Sequence, residues 1–187
     1  VDKIISQIGL PLFAKPSSLG SSVGVFKCET KKELAFAIKE IFDIDKKILI
    51  EQAVVGREIE CSVLGLEKPI ASLPGEIQLQ SGFYSYDAKY ISDSLAVPIS
   101  KAALSAKTIK EVQKLAIKTF QALECEIMTR VDFFLKEDGE LIVNEINTLP
   151  GFTSISMYPK MLENTGIKYI DLLSELISLA IERKNKQ

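Results

Sequence analysis

The 187-residue sequence predicts an α+β protein of two units. Three observations carry that expectation. Apolar and polar residues alternate with period two in several short runs, as half-buried strands require. Two longer runs repeat their apolar residues at helical spacing. Asp138-Gly139 sits between two alternating runs, which marks a β-hairpin.

In chain order, Leu10 to Lys15 and Val23 to Cys28 read as strands around a small, polar loop. Thr30-Lys31-Lys32-Glu33 is a capping box, and it opens a helix to about Phe42 with Leu34, Ala37, Ile38 and Ile41 on one face. Ile48 to Glu51, Glu58 to Leu64 and Pro69 to Glu76 read as strands. Gln78 to Ala88 reads as a long loop, a length that in a compact protein often carries function. Ser105 to Leu123 is an amphipathic helix with Ile109, Val112, Ala116, Phe120 and Leu123 inward. The hairpin spans Met128 to Asn147, and two helices follow, Ser156 to Asn164 and Ile170 to Arg183. These elements group into a small unit over residues 1–52 and a larger one over 53–187, with a nucleotide expected between them.

The totals exclude several chemistries. A net charge of −2 gives no broad basic field for nucleic acid. No apolar run is long enough to span a bilayer. Cys28, Cys61 and Cys125 are odd in number and widely spaced, which suits three small core residues in a reducing cytoplasm. With no histidine, there is no Ser-His-Asp or Cys-His triad and no His-based zinc site.

The richest stretch is Arg130-Val131-Asp132 with Glu145-Ile146-Asn147 across the hairpin. Arg130 and Asp132 share a strand face, as do Glu145 and Asn147. Pairing the strands about Asp138-Gly139 brings Asp132, Glu145 and Asn147 together. Three oxygen donors with no thiolate or imidazole suit a hard cation such as Mg²⁺. A cation so held beside an arginine is equipment for phosphoryl transfer. The competing reading is solvated charge on an exposed sheet face.

Other segments gain weight beside that set. Lys15-Pro16-Ser17-Ser18-Leu19-Gly20-Ser21-Ser22-Val23-Gly24 can cradle phosphate with backbone N–H groups, hydroxyls and one cation, or be a surface turn. It lacks the Gly-Lys-Ser/Thr ending of a Walker A loop. Glu51-Gln52-Ala53-Val54 can pair with an adenine edge and Glu58 can hold ribose hydroxyls, or the segment is a solvated acidic turn. Lys89-Tyr90 follows the aromatic loop, which otherwise reads as a lid packing on the body. The Gly151 amide of Pro150-Gly151-Phe152-Thr153 can donate to an oxyanion, or the turn merely ends a strand.

Taken together, Lys15-Pro16, Leu19 to Gly24, Gly56-Arg57-Glu58, Ala88-Lys89-Tyr90, Arg130 to Phe134 and Asn144 to Thr153 resemble the D-alanine–D-alanine ligase family of the ATP-grasp superfamily. The matches fall in order over nearly the whole chain. They resemble the central and C-terminal portion of that family, without its N-terminal domain and its other ATP-contacting lysine. The resemblance implies ATP-dependent joining of two D-alanines through an acylphosphate, for peptidoglycan synthesis in the cytoplasm, by a homodimer. It implies ATP and two Mg²⁺ (or Mn²⁺) as cofactors. Lys15, Ser21 and Ser22 would meet the ATP phosphates, Glu51, Gln52 and Val54 adenine, and Glu58 ribose. Asp132, Glu145 and Asn147 would hold metal, and Lys89 the transferred phosphate. Arg130 and Gly151 would stabilise the tetrahedral oxyanion, with Ser22 also in the catalytic set. Tyr90, Ser156 and Met157 would line the substrate site. Two alternatives stand beside this: a nucleotide-binding module without turnover, and a related ligase that uses D-serine. The family's D-lactate users place a histidine in the 78–90 loop, which this chain lacks. One departure is local. Ile127 stands where the family has glycine, an exchange expected to alter packing beside Arg130.

Overall fold

The structure is a computed structural model that describes residues 1–20, 22–79, 96–153 and 155–186. The described residues fall into two compact units that divide between Val55 and Gly56.

The first unit begins with helix α1 (Asp2–Ile8), which the sequence reading did not anticipate. Strands β1 (Leu12–Pro16), β2 (Phe26–Cys28) and β3 (Ile48–Gln52) form an antiparallel sheet in the order β2-β1-β3. Helix α2 (Lys31–Phe42) opens on the expected capping box: the Glu33 amide donates to Thr30 Oγ1 at 3.2 Å, and the Thr30 amide donates to Glu33 Oε2 at 3.1 Å. Leu34, Ala37 and Ile41 of α2 bury against Leu12, Ala14 and Cys28 of the sheet. The i, i+3, i+7 spacing of the helix thus meets the period-two face of the strands. That leaves Phe13, Lys15 and Glu51 on the sheet face turned away from α2.

The second unit is built around β4 (Arg57–Gly65), a nine-residue strand. Strands β5 (Ile70–Ala71) and β6 (Gly75–Leu79) pair with one edge of β4, and β8 (Ile127–Leu135) pairs with the other. Strand β7 (Ala96–Ile99) extends the sheet beyond β6, and β9 (Leu141–Asn147) extends it beyond β8. The single strand expected over Pro69 to Glu76 is therefore two. Its pairing with β4 slips by one residue between Ala71 and Gly75, and the Ser72 and Pro74 stretch takes up the slip. The Ser72 hydroxyl accepts from the Ser62 amide at 2.9 Å, and the Ser72 amide donates to the Ser62 carbonyl at 2.8 Å. These bonds replace the ladder where proline can donate none.

Helix α3 (Ala106–Ala122) closes one face of this sheet, with Val112, Ala116 and Phe120 on Ile59, Cys61, Val63, Val131 and Phe133. Helices α4 (Met157–Asn164) and α5 (Tyr169–Asn185) cover part of the other face through Tyr158, Leu162, Leu172 and Leu179, which pack with Leu64. Tyr158 donates its hydroxyl to the Val63 carbonyl at 3.0 Å and accepts the Ser62 hydroxyl on its own carbonyl at 3.0 Å. The remainder of that second face carries the charged row described next. Cys28 and Cys61 are buried, Cys125 is partly exposed, and all three are free thiols. Among the described residues, no helix is long and apolar enough to cross a membrane.

Candidate active site

Antiparallel pairing places side chains of directly opposite residues on one face. Glu60 of β4 lies opposite Asp132 of β8, which lies opposite Glu145 of β9. The neighbouring row on that face is Ser62, Arg130 and Asn147. Three carboxylates, a guanidinium and a carboxamide are thus gathered onto two adjacent rungs of one sheet. Because β4 and β8 are held on both edges, their backbone positions are set by ladders on either side.

The register that achieves this is not the simple one. The connection between β8 and β9 is a three-residue loop, closed by the Lys136 amide to the Glu140 carbonyl at 3.0 Å and the Gly139 amide to the Lys136 carbonyl at 3.0 Å. Gly139 has φ +88°, the left-handed residue that such a loop needs. Continued regularly, that loop would put Asp132 opposite Asn144. A register shift between Asp132 and Phe133 leaves Asn144 as an extra residue, so that Glu145 faces Asp132 and Asn147 faces Arg130. Pairing about a two-residue Asp138-Gly139 turn reaches the same partners because the longer loop and the bulge offset one another.

Arg130 forks onto Asp132 across the same strand face. Nε donates to Oδ1 at 2.7 Å and Nη2 to Oδ2 at 2.7 Å. Nε also lies 3.4 Å from Glu60 Oε1. The side chains of Arg130, Asp132 and Glu60 are 21%, 14% and 10% exposed, so these charges interact in a largely dry setting. Burial works against the guanidinium's charge, but Asp132 first, then Glu60 and Glu145, more than offset it and raise its pKa above the ordinary value. Arg130 is a fixed cation at any working pH.

The donor set fits a divalent cation by its chemistry. Asp132, Glu145 and Asn147 offer hard oxygens, and among the described residues three carboxylates gather about one guanidinium, a charge pattern that suits a cation. Two commitments stand against immediate binding. Asp132 has both oxygens on Arg130, and Asn147 Oδ1 accepts from the Leu149 amide at 3.3 Å. Among the described residues, no three His, Cys, Asp or Glu converge closely enough to hold a metal as they stand. Loading therefore requires the Arg130 fork to give up at least one Asp132 oxygen.

Beyond β9 the chain turns sharply. Gly151 is exposed, and a Cβ there would lie 3.1 Å from Ser156 Oγ. The Ser156 hydroxyl accepts from the Thr153 amide at 2.9 Å and pairs with Thr153 Oγ1 at 2.8 Å. It thus holds the turn that presents Gly151. Met157 begins α4 and is buried, with its Cε 2.4 Å from where a Gly75 Cβ would stand. Glu58 shares the charged face with Glu60, opposite Phe134, while Arg57 points the other way and forks onto Glu76 at 2.8 and 2.7 Å. Glu60 was missed in the sequence. Its signal is the alternation Glu58-Ile59-Glu60, which puts both acids on one face.

In the first unit, Lys15 Nζ lies 2.8 Å from Glu51 Oε2, so two residues read separately form a pair. Gln52 ends β3 with its side chain exposed, and Val54 is half-buried just after it. The serine-glycine loop is anchored by the Ser18 amide to Asp45 Oδ2 at 2.8 Å and the Ser17 amide to the Lys47 carbonyl at 3.1 Å. Ser22 adopts φ +59° and Gly24 φ +72°, two left-handed positions on either side of Val23 that turn the loop. A Cβ at Gly24 would lie 2.7 Å from Ile44 Cδ1. Ser21, Lys89 and Tyr90 lie outside the described residues.

The chain as a whole is similar to known proteins. The family described as "D-ala D-ala ligase C-terminus" matches residues 1–178. A D-alanine–D-alanine ligase of Oceanobacillus iheyensis is 52% identical over 185 residues, covering 99% of this chain and 50% of that protein. The solved D-alanine–D-alanine ligase of Coxiella burnetii superposes with a TM-score of 0.86 at 42% identity, over 100% of this chain and 49% of that one. A D-Ala:D-Ser ligase of Enterococcus faecalis superposes with a TM-score of 0.85 at 37% identity, over 95% of this chain and 52% of that one. The chain spans about half the length of the curated relatives it matches. With its α+β architecture and these matches, the chain belongs to the D-alanine–D-alanine ligase C-terminal family and has the ATP-grasp fold.

Proposed function

We propose that the protein of which this chain forms part joins two D-alanines to D-alanyl-D-alanine at the expense of ATP. The observation that carries the reading is the Arg130–Asp132 fork with Glu145 and Asn147 directly opposite, in a chain of this family. The γ-phosphoryl group passes to the carboxylate of the first D-alanine, giving an acylphosphate and ADP. The amine of the second attacks the acyl carbon. The tetrahedral intermediate then collapses to the amide as phosphate leaves.

Arg130 and the Gly151 amide stabilise the oxyanion of that intermediate, where fixed donors in a dry site lower the barrier most. Asp132, Glu145 and Asn147 hold Mg²⁺, two ions or Mn²⁺ in their place. The metal supplies neutralisation of phosphate charge. Lys15, Ser21 and Ser22 contact the ATP phosphates, and Lys89 the transferred group. Glu51, Gln52 and Val54 meet adenine, and Glu58 the ribose. Tyr90, Ser156 and Met157 line the D-alanine site, Ser156 by holding the turn that carries Gly151. The setting is the cytoplasm, the product feeds the cell wall, and the working form is a homodimer.

The likeness to a D-Ala:D-Ser ligase supports a second reading, in which the attacking amine is D-serine. The test is ADP release by the intact protein with D-alanine alone and with D-serine competing. The first reading expects D-alanyl-D-alanine and little mixed product. A dominant D-alanyl-D-serine product selects the second, and ADP release that ignores both amino acids sinks both. Asp132→Asn should weaken the Mg²⁺ dependence, and an unchanged dependence would remove Asp132 from the ligand set.

A further inference from the structure

We propose that Glu60 is a positioning residue that holds the Arg130 guanidinium on the site face when Asp132 turns to a divalent cation. The inference rests on the proposed roles of Arg130 and Asp132 and adds one carboxylate that the family resemblance does not assign. Glu60 stands on β4, which is paired on both edges, directly opposite Asp132 and one rung from Arg130. It is buried, with a side chain 10% exposed, where a carboxylate is costly unless an opposite charge faces it. Among the described residues Arg130 supplies such a charge, with its Nε 3.4 Å from Glu60 Oε1 and 2.7 Å from Asp132 Oδ1. One N–H thus faces two carboxylates, with Asp132 the nearer.

Metal loading breaks the bidentate fork, because an Asp132 oxygen whose lone pair is given to a divalent cation is drawn away from the guanidinium. A guanidinium left alone in a dry site would swing toward water or retake Asp132 from the metal. Glu60 removes that conflict. A shift of a few tenths of an ångström converts the 3.4 Å contact into a charge-assisted hydrogen bond and leaves Arg130 on the same face. Glu145 cannot serve, since it belongs to the donor set and is exposed. Glu60 therefore couples the cation to the arginine: with it, metal and Arg130 occupy the site together, and without it they compete for Asp132.

The experiment is a Mn²⁺ titration of the intact protein, saturated with a non-hydrolysable ATP analogue, for wild type, Glu60→Gln, Arg130→Ala and the double variant. Glu60→Gln should weaken Mn²⁺ binding about tenfold, and the loss should vanish in the Arg130→Ala background because the competitor is gone. At saturating metal, Glu60→Gln should lower kcat and leave the KM for ATP unchanged. Unaltered Mn²⁺ affinity in Glu60→Gln overturns the proposal. So does an equal loss in the Arg130→Ala background, which would mean that Glu60 acts on the ion itself or on the fold. Should Glu60→Gln not fold, Glu60→Asp is read the same way, since it draws the carboxylate back from Arg130 while keeping its charge. Wild type that binds nucleotide but no Mn²⁺ would instead sink the underlying metal assignment, an outcome distinct from failure of the Glu60 coupling alone.

Discussion

Asp132 receives both arms of the Arg130 guanidinium, each at 2.7 Å, from two residues back along its own strand face. The fork makes one residue of the proposed oxyanion clamp a competitor for one residue of the proposed metal set. Arg130→Ala removes the positive charge from the reacting centre but touches no nucleotide contact assigned above. Turnover should fall by about 10²–10³, the usual loss for an oxyanion donor. ATP affinity should stay within about threefold of wild type on the same scale of reasoning. Steady-state ADP release with a parallel nucleotide-binding titration checks this; a matching loss in both would remove Arg130 from the oxyanion role.

Ile127 adopts φ +69° at the start of β8, a left-handed conformation that a β-branched residue seldom takes. The glycine that the family resemblance leads one to expect there has a physical reason: the backbone needs the positive angle, and only glycine reaches it without strain. Isoleucine is retained here with its side chain packed on the cluster around Tyr158 and Leu162. The two effects separate by substitution. Ile127→Gly and Ile127→Ala both lose the packing, but only alanine keeps the strain. The glycine variant should therefore be the more stable by about 1 kcal/mol, the reverse of the ordinary order in a strand. Urea midpoints decide it, and alanine above glycine would mean that the angle carries no cost.

Gly75 lies opposite Glu60 on β6, and an added Cβ would stand 2.4 Å from Met157 Cε, 2.9 Å from Met161 Sδ and 3.0 Å from the Ile99 carbonyl oxygen. Met157 can swing away, but the carbonyl belongs to the neighbouring strand. Gly75→Ala should cost about 1–3 kcal/mol of stability by overpacking. Displacing Met157 should also raise the KM for D-alanine while the KM for ATP holds. Thermal melts and separate substrate titrations check the two halves, and an unmoved D-alanine KM would take Met157 out of the substrate site.

Burial pushes the Cys61 thiol from its ordinary 9.0 up to about 12. The unfolded chain ionises this thiol near 9.0 while the folded chain does not. Its contribution to stability is therefore whole below pH 9.0 and is lost as pH rises through about 12. Denaturant midpoints from pH 8 to 11 should fall less steeply for Cys61→Ala than for wild type. Parallel slopes would mean that the thiolate finds a partner in the fold.

Much of this molecule is legible along the chain. The helix over Lys31–Phe42 follows from a capping box and apolar spacing that act within one or two turns. The pairing of Asp132 with Glu145 and of Arg130 with Asn147 follows from strand alternation about a glycine turn. The reading of Pro69 to Glu76 as one strand failed because its slip answers to β4 rather than to its own residues. Helix α1 lacks a side-chain cap and buries no residue fully, so its seven residues carry little local signal. The strand Ala96–Ile99 was missed for a related reason, since its central proline argues against strand until a neighbouring strand accepts it at the edge of the sheet.

Residue type and period-two spacing were enough to name the donors Asp132, Glu145 and Asn147 and the cation Arg130. Which of these groups hold one another was settled in three dimensions. The fork onto Asp132, the approach of Glu60 and the pairing of Lys15 with Glu51 each depend on distances of a few ångströms between side chains. So does the bulge at Asn144, which a pattern of alternating residues cannot distinguish from a shorter turn. Local order comes from forces between near neighbours in the chain, which the sequence displays directly. Charge partnership in a dry site depends on which strands lie side by side, and on which carboxylate comes nearest to a guanidinium once water has been excluded.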